Sequence, residues 1–145
     1  MNTATSTALD GQEQETLKGI ADLLAPAYKK MPAASKVNVH TTLAENVLRF
    51  RPELLADVKR GLSAMQGAVP AAAINALRQD DTPAYEAVTL VISAGYYMSG
   101  EVREALGYPG QVRLTYDPYE TADFFTNGML ERVSRRGPIY RMTPK

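Results

Sequence analysis

Few side chains in this chain have the chemistry for catalysis. His40 is the single histidine, it stands before Thr41 and Thr42 at a helix start, and no cysteine occurs anywhere. A Ser-His-Asp triad needs only one histidine. Metal sites built on two or more histidines, thiolate nucleophiles, disulfides, cysteine-based zinc or iron–sulfur sites and Cys-x-x-Cys-His haem attachment are all excluded. A lone histidine at a helix start reads first as a cap or a packed ring. The pair Asp80 and Asp81 precedes Thr82 and Pro83, where carboxylates cap a helix and stay solvated. Glu86 lies in an apolar segment. Buried, it would need a partner or a shifted pKa; in an exposed first turn, the helix dipole would favour it. No Gly-x-Gly-x-x-Gly or Gly-x-x-x-x-Gly-Lys run offers a phosphate cradle, so no flavin or nucleotide site is expected in this chain.

The most unusual run is Gly95 to Gln111. Tyr96 and Tyr97 end an apolar helix, where a ring can be buried while its hydroxyl finds water or a polar partner. Gly107 permits a positive φ at a helix end, Pro109 holds Tyr108 extended, and Gly110 permits a tight turn. The product is a rigid elbow presenting Tyr108, either a well-specified turn in the core or an aromatic anchor for an interface. A second unusual stretch closes the sequence: Arg132, Arg135, Arg136, Arg141 and Lys145 are interleaved with Ile139, Tyr140 and Met142, and Glu131 is the only acid. Such a tail is too apolar to stream into solvent and too short to be a domain. It is expected to lie on its own bundle or on another chain.

The elements that must position these residues read as helices throughout. Leu17, Ile20, Ala21, Leu24 and Tyr28 share one face, with Asp10 as N-cap and Glu13 as its capping-box partner. Pro26 stops or kinks that helix, with one more turn to Tyr28 allowed. A second helix fits 36–50, with Val39, Leu43, Val47 and Phe50 inward. Pro52, Pro70 and Pro83 each open a further one, the last with Thr82 as N-cap. Residues 83–98 are apolar nearly all round, interrupted only by Glu86, Thr89 and Ser93 on one narrow line, which predicts a helix contacted on most sides. A short helix from Gly100 to Leu106, capped by Ser99 and closed by Gly107, and another from Asp117 to Phe125 or Met129 complete the set. The expectation is an all-α, compact bundle of six or seven helices around a central apolar helix at about 83–98, with an extended basic C-terminal tail. Residues 1–10 are read as a flexible arm, 11–130 as one helical domain and 131–145 as the tail.

Length and charge agree with a protein that folds around its own core. A chain of 145 residues buries roughly 68–70% of its unfolded surface. Sixteen basic residues balance sixteen acidic ones, so there is no global attraction to nucleic acid or to an anionic membrane, and neither is expected as a partner. No run of about 18 apolar residues encodes a membrane span. The first fifteen residues carry neither an apolar export core nor a twin arginine.

At Gly95 to Gln111 the chain resembles the gluconate 2-dehydrogenase subunit 3 family. The similarity is carried by Gly19 to Pro26, by Val47 to Leu55, and above all by Gly95-Tyr96-Tyr97 followed by Val102 to Gln111. The resemblance implies a non-catalytic small subunit with no cofactor of its own. Its partner would be a large FAD-binding dehydrogenase of the glucose-methanol-choline type that oxidises a sugar or other alcohol and passes electrons to a cytochrome c subunit or another acceptor. The small subunit would serve maturation, stability or export of that partner. Family members commonly carry a twin-arginine signal and form periplasmic complexes. Its absence here leaves open a cytoplasmic complex, a trimmed chain or a signal on the partner. The expected interface residues are Tyr96, Tyr97, Tyr108 and Pro109 around the elbow, Tyr116 and Tyr119 beyond it, and Arg136, Tyr140 and Arg141 in the tail. The alternative is a stand-alone helical regulatory or nucleic-acid-binding protein that uses the Arg-rich tail.

Overall fold

The computed structural model describes residues 9–113, 115, 117, 119, 123–137 and 139, excluding the side chains of 124 and 125. It is all-α: helices form the whole framework, and among the described residues there is no strand, only an isolated bridge between Tyr28 and Met31. Two compact units divide after Gly110, Met1–Gly110 and Gln111–Lys145.

In the first unit, α1 spans Gly11–Leu24. Both halves of its capping box form, with Asp10 Oδ1 accepting from the amides of Gln12 and Glu13 and the Glu13 carboxylate accepting from the Asp10 amide at 2.8 Å. Leu17, Ile20 and Ala21 face the core. Leu9 is fully buried and Asp10 is the cap, so both belong to the helical body; residues 1–8 lie outside the described residues. Pro26 ends the helix at once. Tyr28 and Met31 exchange both backbone hydrogen bonds across a tight turn in which Lys29 takes a φ of 52°.

The segment 36–50, expected as one helix, is three pieces. A 3-10 turn at Ala34–Val37 is broken by Asn38 in the left-handed conformation, a π turn comes next at Val39–Leu43, and α2 covers Ala44–Phe50. Val37 and Val39 both point into the core. Two residues apart on a continuous α-helix they would face nearly opposite ways, and the break at Asn38 turns both inward. After the wide turn Leu48 is buried and Phe50, expected inside, is exposed with the Arg49 guanidinium over its ring.

A 3-10 turn at Pro52–Leu54 leads into α3, Leu55–Met65, which buries Val58, Gly61, Leu62 and Met65. Helix α4, Pro70–Asp80, contributes Ala73, Ile74 and Leu77. Helix α5, Thr82–Met98, is the central element and packs on α2, α3, α4 and the π turn. Its N-cap is Asp81, not Thr82: Asp81 accepts from the Ala84 amide and takes a two-pronged bond from Arg60 of α3, Nε to Oδ2 at 2.6 Å and Nη2 to Oδ1 at 3.2 Å. Those bonds hold the Asp81 carboxyl below its ordinary range. Two glycines let helices approach closely, Gly61 of α3 against Val88 and Ala84, and Gly95 of α5 against Leu43 and Val39. Helix α6, Gly100–Ala105, starts after Ser99, which is buried but makes no side-chain cap bond.

In the second unit the described helices are short, α7 at Asp123–Thr126 and α8 at Glu131–Ser134. The helix expected from Asp117 is therefore seen only from Asp123. Arg135 pairs with Glu131 at 3.0 Å on α8.

Candidate partner interface

Helix α5 is covered on most of its circumference, and one line along it is open. Ala84, Ala87, Val88, Val91, Ile92, Gly95 and Tyr96 are buried, whereas Glu86, Leu90, Ser93 and Tyr97 are not. The polar line read from the sequence is this face, but it carries two large apolar side chains: Leu90 is 40% and Tyr97 56% exposed. Beside it runs the end of α1 with its closing turn. Together they form an open groove of about 830 Å³, walled by Leu24, Pro26, Tyr28 and Met31 on one side and by Tyr85, Leu90 and Tyr97 on the other.

The groove has little polar chemistry to offer. Thr89 and Ser93 donate their hydroxyls to carbonyls of their own helix, at Tyr85 and Leu90. Tyr96 donates to the Pro32 carbonyl at 2.7 Å. Glu86 is the one charged side chain among the lining residues.

Tyr96 and Tyr97, expected together in an interface, have separated roles. Tyr96 is a core residue, 6% exposed, that borders the groove. Burial, then the neighbouring Tyr97 and Glu101, push its hydroxyl pKa upward, which keeps it a hydrogen-bond donor. Its bond to Pro32 ties the loop after α1 to α5. Replacing Tyr96 with Phe leaves that carbonyl without its donor and should lower stability by about 1 kcal/mol, read as a fall in denaturation midpoint; an unchanged midpoint would show that water takes over the bond. Tyr97 stacks edge-to-face on Tyr96, centroids 5.6 Å apart, and faces outward.

The elbow forms as its glycines require. The amide of Tyr108 bonds to the Arg103 carbonyl at 2.8 Å and that of Gly107 to the Glu104 carbonyl at 2.9 Å, with Gly107 at φ +67°. This is the Schellman closure of α6. Gly110 comes next at φ +80°. Tyr108 is 57% exposed and Pro109 is exposed beside it. Tyr119 and Arg136 are exposed in the second unit. Tyr116, Tyr140 and Arg141 lie outside the described residues. Leu24, Tyr28, Met31 and Leu90 are not among the residues expected at an interface from sequence. Tyr28 does carry a signal, because a helix stopped by Pro26 cannot bury it on the α1 face.

His40 sits in the π turn with Nδ1 buried and unbonded among the described residues. Burial lowers its pKa most, the charge of Lys18 lowers it further, and Glu15 and Asp22 partly oppose them. The folded chain therefore holds fewer protons here than the unfolded chain below about pH 6.5. The stability His40 contributes is complete above that pH and falls as the pH drops through the lowered folded value. Denaturation midpoints measured between pH 7.5 and 5 should decline, and His40→Phe should flatten that decline; an equal decline in both proteins would assign it to other groups. Among the described residues no three His, Asp or Glu side chains gather as metal ligands. Family models, curated proteins and solved structures provide no match to this chain.

Proposed function

We propose that the chain is a non-catalytic accessory subunit that binds, stabilises and helps mature or export an FAD-dependent sugar or alcohol dehydrogenase. The observation that carries this reading is apolar, aromatic surface left open on a well-packed helical body: Leu90, Tyr97 and Tyr28 at the groove, and Tyr108 on a rigid elbow. Large apolar and aromatic side chains left open in this way are what protein-binding faces are built from. The similarity at Val102 to Gln111 supplies the class of partner. The flavin would belong to that partner, which would pass electrons to a cytochrome c or another acceptor.

The physical task of such a subunit is linkage. A chain that binds only the folded catalytic subunit stabilises it by about 2.7 kcal/mol when its free concentration is 100 times the dissociation constant. The test is co-expression with the glucose-methanol-choline-type dehydrogenases of the same genome, then size-exclusion chromatography with flavin absorbance. One of them should co-elute with this chain and need it for soluble, flavin-loaded protein. Separate elution together with full activity of every dehydrogenase alone would reject the proposal.

A further inference from the structure

One short run of the second unit carries a reaction of its own. Asn127-Gly128 is the only Asn-Gly pair in the sequence. We propose that it is a self-modification site, at which Asn127 loses its side-chain amide as ammonia and becomes aspartate or isoaspartate without an enzyme. The site is independent of the accessory function.

The reaction needs nothing from outside the chain except water. The Gly128 nitrogen attacks Cγ of Asn127, and the new N–Cγ bond closes a cyclic imide. The Cγ–Nδ2 bond breaks, and the amide proton of Gly128 leaves with that nitrogen as part of the ammonia. Water then opens the imide at either carbonyl, giving aspartate or isoaspartate. Nucleophile and electrophile are held close by the backbone itself, so proximity is already provided. Three further conditions remain: access, an uncommitted amide, and a donor for the negative charge that builds on Oδ1 in the tetrahedral intermediate.

All three are met. Asn127 and Gly128 are exposed. Gly128 has no side chain, and no atom lies within 4 Å of where a Cβ would stand, so the approach is unhindered. Among the described residues nothing accepts a hydrogen bond from its amide, and no such bond has to break before attack. The Met129 amide donates to Asn127 Oδ1 at 2.9 Å. That oxygen gains charge in the intermediate, so a donor already in place favours the step. Other asparagines lack this combination. Asn38 and Asn46 precede the β-branched Val39 and Val47, and Asn75, inside α4 before Ala76, donates Nδ2 to the Ala71 carbonyl at 2.8 Å. The Asp10-Gly11 pair, which could pass through the same imide, has its carboxylate committed to two amides of the capping box.

Conversion has two consequences. It adds a negative charge to a chain in which sixteen bases balance sixteen acids. Isoaspartate also lengthens the main chain by one carbon between α7 and α8.

The experiment incubates the intact chain in mildly alkaline buffer. Isoelectric focusing, ammonia release and peptide mapping follow the change, and isoaspartate is detected by enzymatic methyl transfer from S-adenosylmethionine. An acidic band should grow with equimolar ammonia and map to Asn127, roughly tenfold faster than to Asn38, Asn46 or Asn75, which lack a following glycine. Asn127→Gln, which would have to close a larger ring, should remove the signal while keeping the glycine of the turn. Gly128→Ala should slow it roughly tenfold, because its Cβ stands beside the attacking nitrogen. The thermal midpoint should not move as the product accumulates, since the buried core lies within residues 9–102. In guanidinium chloride the rate at Asn127 should be no higher than in the folded chain. An intact amide at 127 after incubation, equal loss at the other three asparagines, an unslowed Gly128→Ala or a faster rate in the unfolded chain would each overturn the proposal.

Discussion

Placing leucine at Gly61 should destabilise the folded chain by about 3 kcal/mol or more. A Cβ at this position would stand 3.1 Å from Val88 Cγ2, 3.2 Å from Leu77 Cδ2 and 3.3 Å from the Ala84 Cβ. The first two belong to buried side chains of α5 and α4, and the third is fixed to the α5 backbone, so a large side chain would require several packed neighbours to give at once. A leucine adds three further carbons into that contact. Alanine at the same place separates backbone preference from packing: it gains about 1 kcal/mol in helix propensity and meets contacts tight by only a few tenths of an ångström, so its net effect should be small. Urea denaturation would show a lower midpoint with unchanged slope for Gly61→Leu. Adding Val88→Ala to Gly61→Leu should recover part of the loss, because the pair shares one contact and their effects are not additive. A midpoint for Gly61→Leu equal to wild type would mean that α3 and α5 do not cross at this glycine. The prediction matters for the interface, since the same crossing holds α5 with its Glu86 to Tyr97 line outward.

Local chemistry is legible in the sequence, and long-range consequences are not. The capping box at Asp10 and Glu13, the helix starts at Pro52 and Pro70, the stop at Pro26 and the Gly107 to Gly110 elbow each depend on residues a few positions apart, and each forms as expected. The segment 36–50 misleads because a constant helical period does not survive Asn38; Val39 and Val47 still face inward as expected, but after a left-handed residue and one wide turn Leu48 is buried and Phe50 exposed. The helical period does distinguish Tyr97, four residues beyond Ser93 on the polar line, from Tyr96, four beyond the buried Ile92, but the partner of the Tyr96 hydroxyl, the Pro32 carbonyl 64 residues away, has no local signal. The groove has the same origin. Its walls come from α5 and from the end of α1 with the turn after it, and only the fold brings the two together. The aromatic elbow is therefore visible in the sequence and the larger apolar groove is not.

Replacing Tyr108 with alanine should weaken the complex with the dehydrogenase by roughly 2 kcal/mol, about thirtyfold in dissociation constant, and leave the lone chain as stable as wild type. Both halves follow from the geometry. The ring is more than half exposed, so truncation removes little packing from the folded chain. The backbone beneath it is held by two hydrogen bonds closing α6, by the glycine at φ +67° and by Pro109, so the ring is presented without having to be ordered on binding. Fixing a side chain in advance avoids a cost of about 0.5–1.5 kcal/mol that a mobile one would incur at the interface. That preorganisation can be tested separately. Gly107→Ala forces a side chain into a positive φ while leaving the Tyr108 ring in place, so it should weaken binding less than Tyr108→Ala but lower the stability of the lone chain, the reverse of the Tyr108→Ala pattern. Titration of the dehydrogenase alongside thermal melts of each lone variant distinguishes the two. A Tyr108→Ala chain that melts well below wild type would place the ring in the core, and one that binds as tightly as wild type would remove the elbow from the interface.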